Sequence, residues 1–289
     1  MVIRSTHRSI IVVFIAAHFV LAAVVNLIFF AGNAFRPLAS ATGGLLTGSL
    51  LVNLAFIGVL IGWVMLKRGN LRPYDVGLIP SHIMTGIAYT IGLWGVAQVI
   101  HLLVGLLAGG TIAFSADWLA SPTYVIGLFV AQIFGNALFE EVAYRGFLFP
   151  QLYLRLGRLR DRPWMRLAIA ILISQGVFAL SHIPNRIYLG MSAGQIALDL
   201  VLLLAWGILY TLIYLKTDNL FLVVGVHALG NAPTTLFAGT PLLASSGASF
   251  VINCLAVLVL FGLPMVRAYG RRFGLHLDYG LERGDYAQG

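Results

Sequence analysis

Charge is what this chain has least of. Of its 289 residues only 10% are Asp, Glu, Lys or Arg, where a soluble globular domain carries roughly 25%. So few charges cannot cover the surface of a 31.3 kDa globule, and the mean hydropathy of +0.93 points the same way. A soluble fold is excluded on that ground. Disorder is excluded too, because 60% of the residues are hydrophobic. Cysteine occurs once, as Cys254, so no intrachain disulfide is available. Lysine occurs twice and glutamate three times. No internal repeat is present.

What the chain has instead is long apolar runs. Eight are long enough to cross a bilayer, at about 20 residues each: 10–31, 43–66, 83–108, 122–149, 167–183, 193–215, 219–238 and 248–266. They are continuously apolar and do not alternate, which argues against a β-barrel. The expected fold is all-α, a polytopic integral membrane protein of about eight transmembrane helices. The first run follows Arg4 and Arg8, and at 22 residues it exceeds the about 7–15 of a cleaved signal, so it reads as a retained span. The net charge of +8 has a topological origin. With the N-terminus inside, 15 of the 18 Lys and Arg fall on the inner segments and only Arg36 and Arg186 on the outer ones. This positive-inside bias puts both termini in the cytoplasm and gives no reason to invoke nucleic acid. Trp164, Tyr188 and Tyr279 are expected interface anchors.

An ionisable group inside hydrocarbon costs about 2.5–3.5 kcal/mol on insertion scales. Two of the three glutamates, Glu140 and Glu141, are adjacent within or at the end of the fourth run, in Phe-Glu140-Glu141-Val-Ala-Tyr-Arg145. Glu141 and Arg145 are four apart and positioned to pair, whereas Glu140 is rotated by about 100° onto another face. One carboxylate therefore reads as a neutralised structural node. The other is free to act as a general base or proton carrier. Two further clusters sit beside helix breaks: Phe178-Ala-Leu-Ser-His182-Ile-Pro184, and His227-Ala-Leu-Gly-Asn231-Ala-Pro233. His18 and His101 read as interhelical hydrogen-bonders. Asp199 is expected to pair with Arg145 or a histidine, and Cys254 to be a small buried hydrophobe. At 1.5 Å per residue, Glu140 lies about 14 Å from Phe149 and His227 about 12 Å into its run. His182 lies about 24 Å beyond Arg166, so the fifth helix is expected to begin deep, to tilt, or to follow a re-entrant piece.

The ordered set Glu-Glu-x-x-x-Arg, Phe-x-x-x-His and His-x-x-x-Asn resembles the CPBP family of intramembrane proteases, the family of the type II CAAX prenyl endopeptidase and the bacterial ABI proteins. The resemblance covers roughly residues 120–240, and the stretch Leu71-Arg-Pro-Tyr-Asp-Val-Gly-Leu78 is similar to a family element that precedes the domain. It implies a peptidase of the glutamic type whose site lies in a membrane-embedded cavity. Glu140 would activate water, His182 would orient it and share its proton, and His227 with Asn231 would stabilise the oxyanion. Glu141, Arg145 and Phe178 would support them. Glu140, His182 and His227 also form a His₂Glu set of the kind that holds catalytic zinc. Zinc is thus possible, though there is no His-Glu-x-x-His and the metal-free version is favoured. The chain divides into N-terminal helices (1–115), a core (116–240) and a last helix with a basic tail (241–289), forming one membrane domain. The substrate is expected to be a membrane-protein or lipid-anchored peptide. The 16-to-2 ratio of Arg to Lys hints at a GC-rich prokaryote, and hence a bacterial inner membrane. Two other classes fit parts of the pattern: a proton-coupled secondary transporter using Glu140 and Asp199, and a non-catalytic bacteriocin-immunity-type membrane protein.

Overall fold

The computed structural model describes residues 3–107, 113–159, 161–232 and 234–238. The expected eighth span, the tail at 267–289, Cys254, Tyr279 and the kink at Pro233 lie outside them. Six helices are long and apolar enough to cross a membrane: α1 (Arg8–Phe30), α2 (Gly48–Arg68), α3 (Pro80–Leu107), α4 (Pro122–Arg155), α5 (Pro163–Tyr188) and α6 (Ala193–Thr217). They coincide with the first six apolar runs. A seventh helix, α7 (Leu220–Asn231), has 12 residues, about 18 Å at 1.5 Å per residue, which is shorter than a bilayer crossing. The seventh run is therefore helical over its first part only. Beyond α7 the described residues end in a two-residue strand, β2 (Phe237–Ala238), antiparallel to β1 (Ala113–Phe114).

The helices start where local chemistry provides partners for the first orphan N–H groups. Thr47 accepts from Leu50 N–H, Asn219 accepts from Leu222 N–H, and Ser192 with Gln195 forms a capping box at α6. Proline occupies the first turn of α4 and α5, where its missing N–H costs nothing. The outward faces are apolar: Met84, Ile91, Leu107, Leu198 and Val201 are all well exposed, the inverse of a soluble surface and the pattern of a lipid-facing one.

Helix α4 is the centre of the molecule. Between Glu141 and Leu148 every residue is buried, and the turns there are π-turns, as they are over Gln132–Asn136. Phe139, Tyr144 and Phe147 of α4 pack with Phe14 of α1 and with Phe56 and Leu60 of α2 in one apolar cluster. A second cluster joins α3, α6 and α7 through Leu93, Tyr210, Ile213 and Val223. The segment 71–78 folds back beneath α4, and a Cβ on Gly146 would collide with the carbonyl oxygen of Val76. Asp75 anchors that segment by accepting from the N–H groups of Arg72 and Arg4 and from the Arg72 guanidinium. Burial pushes the Asp75 carboxyl up, and the Arg72 and Arg4 hydrogen bonds outweigh it, leaving the group below the usual carboxylate range.

Candidate active site

Glu140 ends a four-residue α-turn of α4, Ala137–Glu140, set between two π segments, and Glu141 begins the second of them. Such wide turns rotate the side chains that follow them and are frequent at functional sites. The two carboxylates diverge as a result. Glu141 is fully buried; its Oε1 accepts from Arg145 Nη1 at 3.1 Å and meets His227 Nδ1 at 2.7 Å. Arg145 is also fully buried, donates to the Gly207 carbonyl at 3.3 Å and lies over the Phe178 ring, 4.5 Å from its centroid. Glu140 turns the other way, into a cavity of about 400 Å³ lined by residues of α1, α2, α4, α5, α6 and α7.

His182 and His227 meet Glu140 there. His182 Nε2 is 3.6 Å from Glu140 Oε1, and His227 Nε2 is 3.6 Å from Glu140 Oε2. Both gaps exceed a hydrogen bond and leave each pair able to share a bridging water. The far ring nitrogens are committed. His182 Nδ1 is 2.9 Å from the Phe178 carbonyl oxygen, which only accepts, so that nitrogen carries the hydrogen. His227 Nδ1 faces the Glu141 carboxylate, which likewise only accepts when ionised. The His227 ring stacks on Tyr210 at 4.8 Å, and Phe178 meets the His182 ring edge-on at 4.8 Å. Asn231 ends α7 one turn beyond His227, lines the cavity and donates to Gln132 Oε1 at 3.1 Å.

The structure thus brings together all seven residues singled out in the sequence. It also explains why the depth count for His182 failed. Helix α4 does not end at Phe149 but runs on to Arg155, 15 residues or about 22 Å past Glu140. That agrees with the 16 residues, about 24 Å, from Arg166 to His182. Arg166 itself is buried and donates to the Tyr153 carbonyl, so it marks the same level as the end of α4. The count for His227 is shorter because α7 starts inside the fold: Asn219 is buried and donates to the His82 carbonyl. The expected break after Phe178 is present as a turn at Ser181 and His182. It is followed by a short helix, Ile183–Tyr188, with Pro184 in its first turn.

Two expectations are corrected. Asp199 pairs with neither Arg145 nor a histidine; it binds Arg186 Nε at 2.7 Å, because the short helix after His182 carries Arg186 across to α6. His101 is 1% exposed, yet neither ring nitrogen has a hydrogen-bond partner among the described residues. His18 is an interhelical hydrogen-bonder as expected, with its Nδ1 2.7 Å from Tyr144 Oη, but it also lines the cavity with Asn26, Gln132 and Asn185. Those four were missed as site residues. His18 and Asn26 lie in an ordinary-looking apolar run, and only tertiary contact brings them to Glu140. Among the described residues, no three His, Cys, Asp or Glu side chains are grouped to hold a metal ion. Glu140, His182 and His227 thus do not count as such a group.

Residues 121–233 match the family described as Type II CAAX prenyl endopeptidase Rce1-like. The match begins at the start of α4 and runs two residues past the end of α7, so it holds Glu140, Glu141, Arg145, Phe178, His182, His227 and Asn231. The match agrees with the resemblance of the three motifs to the CPBP family. No curated protein and no solved structure matches the chain.

Proposed function

We propose that this chain is an intramembrane endopeptidase that hydrolyses a peptide bond in the cavity beside Glu140, using water and no covalent intermediate. One observation carries the reading: each oxygen of the Glu140 carboxylate faces the Nε2 of a different histidine at 3.6 Å, inside a cavity of about 400 Å³. A water seated between Glu140 and His182 is within reach of both. Glu140 takes its proton as the hydroxide attacks the peptide carbonyl, and His182 orients the water through Nε2. The proton then passes to the departing amine. The new oxyanion lies toward α7, where His227 Nε2–H and the Asn231 amide donate to it. An imidazolium at His227 makes the set Glu140, Glu141, Arg145 and His227 electrically neutral, which suits a site without bulk water. Glu141 and Arg145 hold α4, α6 and α7 in register, and Phe178 fixes His182 by its carbonyl and its ring.

The substrate class is a peptide segment of a membrane-embedded or lipid-anchored protein, since the matched family is described as acting on CAAX prenyl proteins and the cavity lies among apolar helices. The core at 116–240 is flanked by helices at 1–115 and by 241–289 in one membrane domain. An arrangement with both ends in the cytoplasm of a bacterium gives the positive-inside distribution of the cations.

The test is cleavage of a quenched membrane-peptide library by protein purified in detergent, read by mass spectrometry. Glu140→Gln is expected to lower kcat by about 100- to 10,000-fold, and His227→Ala or Asn231→Ala by about 100- to 1000-fold. Cleavage is expected to persist in chelator. Turnover at the wild-type rate in Glu140→Gln would overturn the mechanism, and activity lost to chelator and restored by zinc would replace the metal-free route.

A further inference from the structure

Helix α1 lies wholly outside the matched stretch 121–233, yet it supplies two polar side chains to the same cavity. His18 and Asn26 stand two turns apart on α1, both are buried, and both line the cavity with Glu140. Each is linked to the segment around His182, His18 through Tyr144 and Asn26 through Asn185. On one side, His18 Nδ1 meets Tyr144 Oη at 2.7 Å, and Tyr144 Oη is 3.0 Å from Ser181 Oγ. Ser181 Oγ donates in turn to the Phe178 carbonyl at 2.7 Å. That carbonyl also accepts from His182 Nδ1 at 2.9 Å. On the other side, Asn26 Oδ1 accepts from Asn185 Nδ2 at 2.9 Å, while its own Nδ2 donates back to the Ala22 carbonyl. Asn185 Oδ1 accepts from Arg186 Nη1 at 2.6 Å, and Arg186 is tied to Asp199 of α6.

These contacts matter because they reach the segment on both sides of His182 in sequence, while Phe178 holds the ring itself. His182 stands in a two-residue turn, and the helix that follows is only six residues long. Within that hinge, Ser181 is gripped from one side and Asn185 from the other, both through α1. The wide turn of α1 at Val25–Phe30 brings Asn26 within reach of Asn185.

We propose that the first membrane helix is a working part of the active site, and that His18 and Asn26 are positioning residues for His182. The proposal rests on the hydrolytic reading above. Mere packing is the competing account, since any buried polar group in hydrocarbon needs a partner. It differs in consequence: packing predicts lost stability at unchanged turnover, and positioning predicts lost turnover in a folded protein.

The experiment uses the full chain in detergent with a peptide that the wild type cleaves. His18→Phe keeps an aromatic ring against Phe14 and Phe139, and Asn26→Leu keeps the bulk of the side chain. Each is expected to lower kcat by about 10- to 100-fold, the scale of a misplaced reacting group, with KM within about twofold. His18→Gln and Asn26→Ser, which retain hydrogen-bonding atoms, are expected to keep more of the turnover and serve if the first pair does not fold. In parallel, nitrogen NMR of histidine-labelled protein reads His182 directly. The wild type is expected to show one Nδ1-protonated tautomer, and His18→Phe and Asn26→Leu a mixture. Wild-type kcat with an unchanged His182 spectrum in folded variants overturns the proposal, and so does a raised KM at unchanged kcat. Should the wild type show no Glu140-dependent cleavage, the hydrolytic reading falls and the His182 spectra alone decide whether α1 positions that ring.

Discussion

Two carboxylates next to each other in sequence take opposite roles because a helix turns by about 100° per residue and because the surroundings of each differ. Glu141 shares one oxygen between Arg145 and His227, and the side chains of Glu141 and Arg145 are wholly withdrawn from solvent. Removing one partner of a fully buried pair strands the other charge, which costs about 3–5 kcal/mol. Glu140 faces a cavity, and Arg145 and His227 keep Glu141 as a hydrogen-bonded partner when the Glu140 charge is removed. Arg145→Met is therefore expected to lower the melting temperature in detergent sharply, and Glu140→Gln to melt close to the wild type while losing turnover. Differential scanning fluorimetry on the two variants makes the comparison. A stable Arg145→Met protein beside an unstable Glu140→Gln protein would reverse the roles assigned to this pair.

Among the elements, α4 owes its position to a place where no side chain fits. Gly146 lies against the carbonyl of Val76, so the segment 71–78 reaches α4 only because residue 146 has no Cβ. Gly146→Ala forces that segment away, and overpacking of this kind costs about 1–3 kcal/mol. Gly92 in α3 has open space where a Cβ would stand. Gly92→Ala is expected to be neutral or stabilising by up to about 1 kcal/mol, since alanine is the better helix former. Melting curves of the two variants should move in opposite directions or differ clearly, and equal shifts would remove the close-approach argument. The same stretch of α4 shows how far the sequence alone reached. Six long apolar helices and the Glu141–Arg145 pair were legible, because they rest on run length and local spacing, whereas the gathering of Glu140, His182, His227 and Asn231 was expected only through the family that the three motifs resemble. The π-turns around Glu140, the end of the α7 helix at Asn231 and the part played by His18 and Asn26 were not legible. These depend on which helix packs where: Asn26 and Asn185 meet across 159 positions, and no periodicity records such a contact.

At the scale of the whole molecule, the contacts sort the chain ends into two layers, and the cations follow. One layer joins Arg4 to Asp75, Thr6 to Gly69 and Gln151, and Asn219 to His82. The opposite layer joins Gly43 to Thr123 and Asn26 to Asn185. Arg8, Lys67, Arg68, Arg72, Arg155 and Lys216 all belong to the first layer by their place in the chain, and Arg36 to the second. Arg186, the other cation on that side, is engaged with Asp199 inside the fold. Cytoplasmic loops carry the excess of Lys and Arg, so we propose that the first layer faces the cytoplasm. The single cysteine makes this testable without rebuilding the protein: Cys254→Ser gives a background free of thiol. In it, Arg158→Cys and Ser192→Cys each put one exposed thiol in a short connection, before α5 and before α6 respectively. Added to intact bacterial cells, a membrane-impermeant maleimide is expected to label the Ser192→Cys protein and to spare the Arg158→Cys protein until the membrane is opened. The reverse pattern would invert the protein in the membrane, and labelling of both in sealed cells would deny that α5 crosses at all.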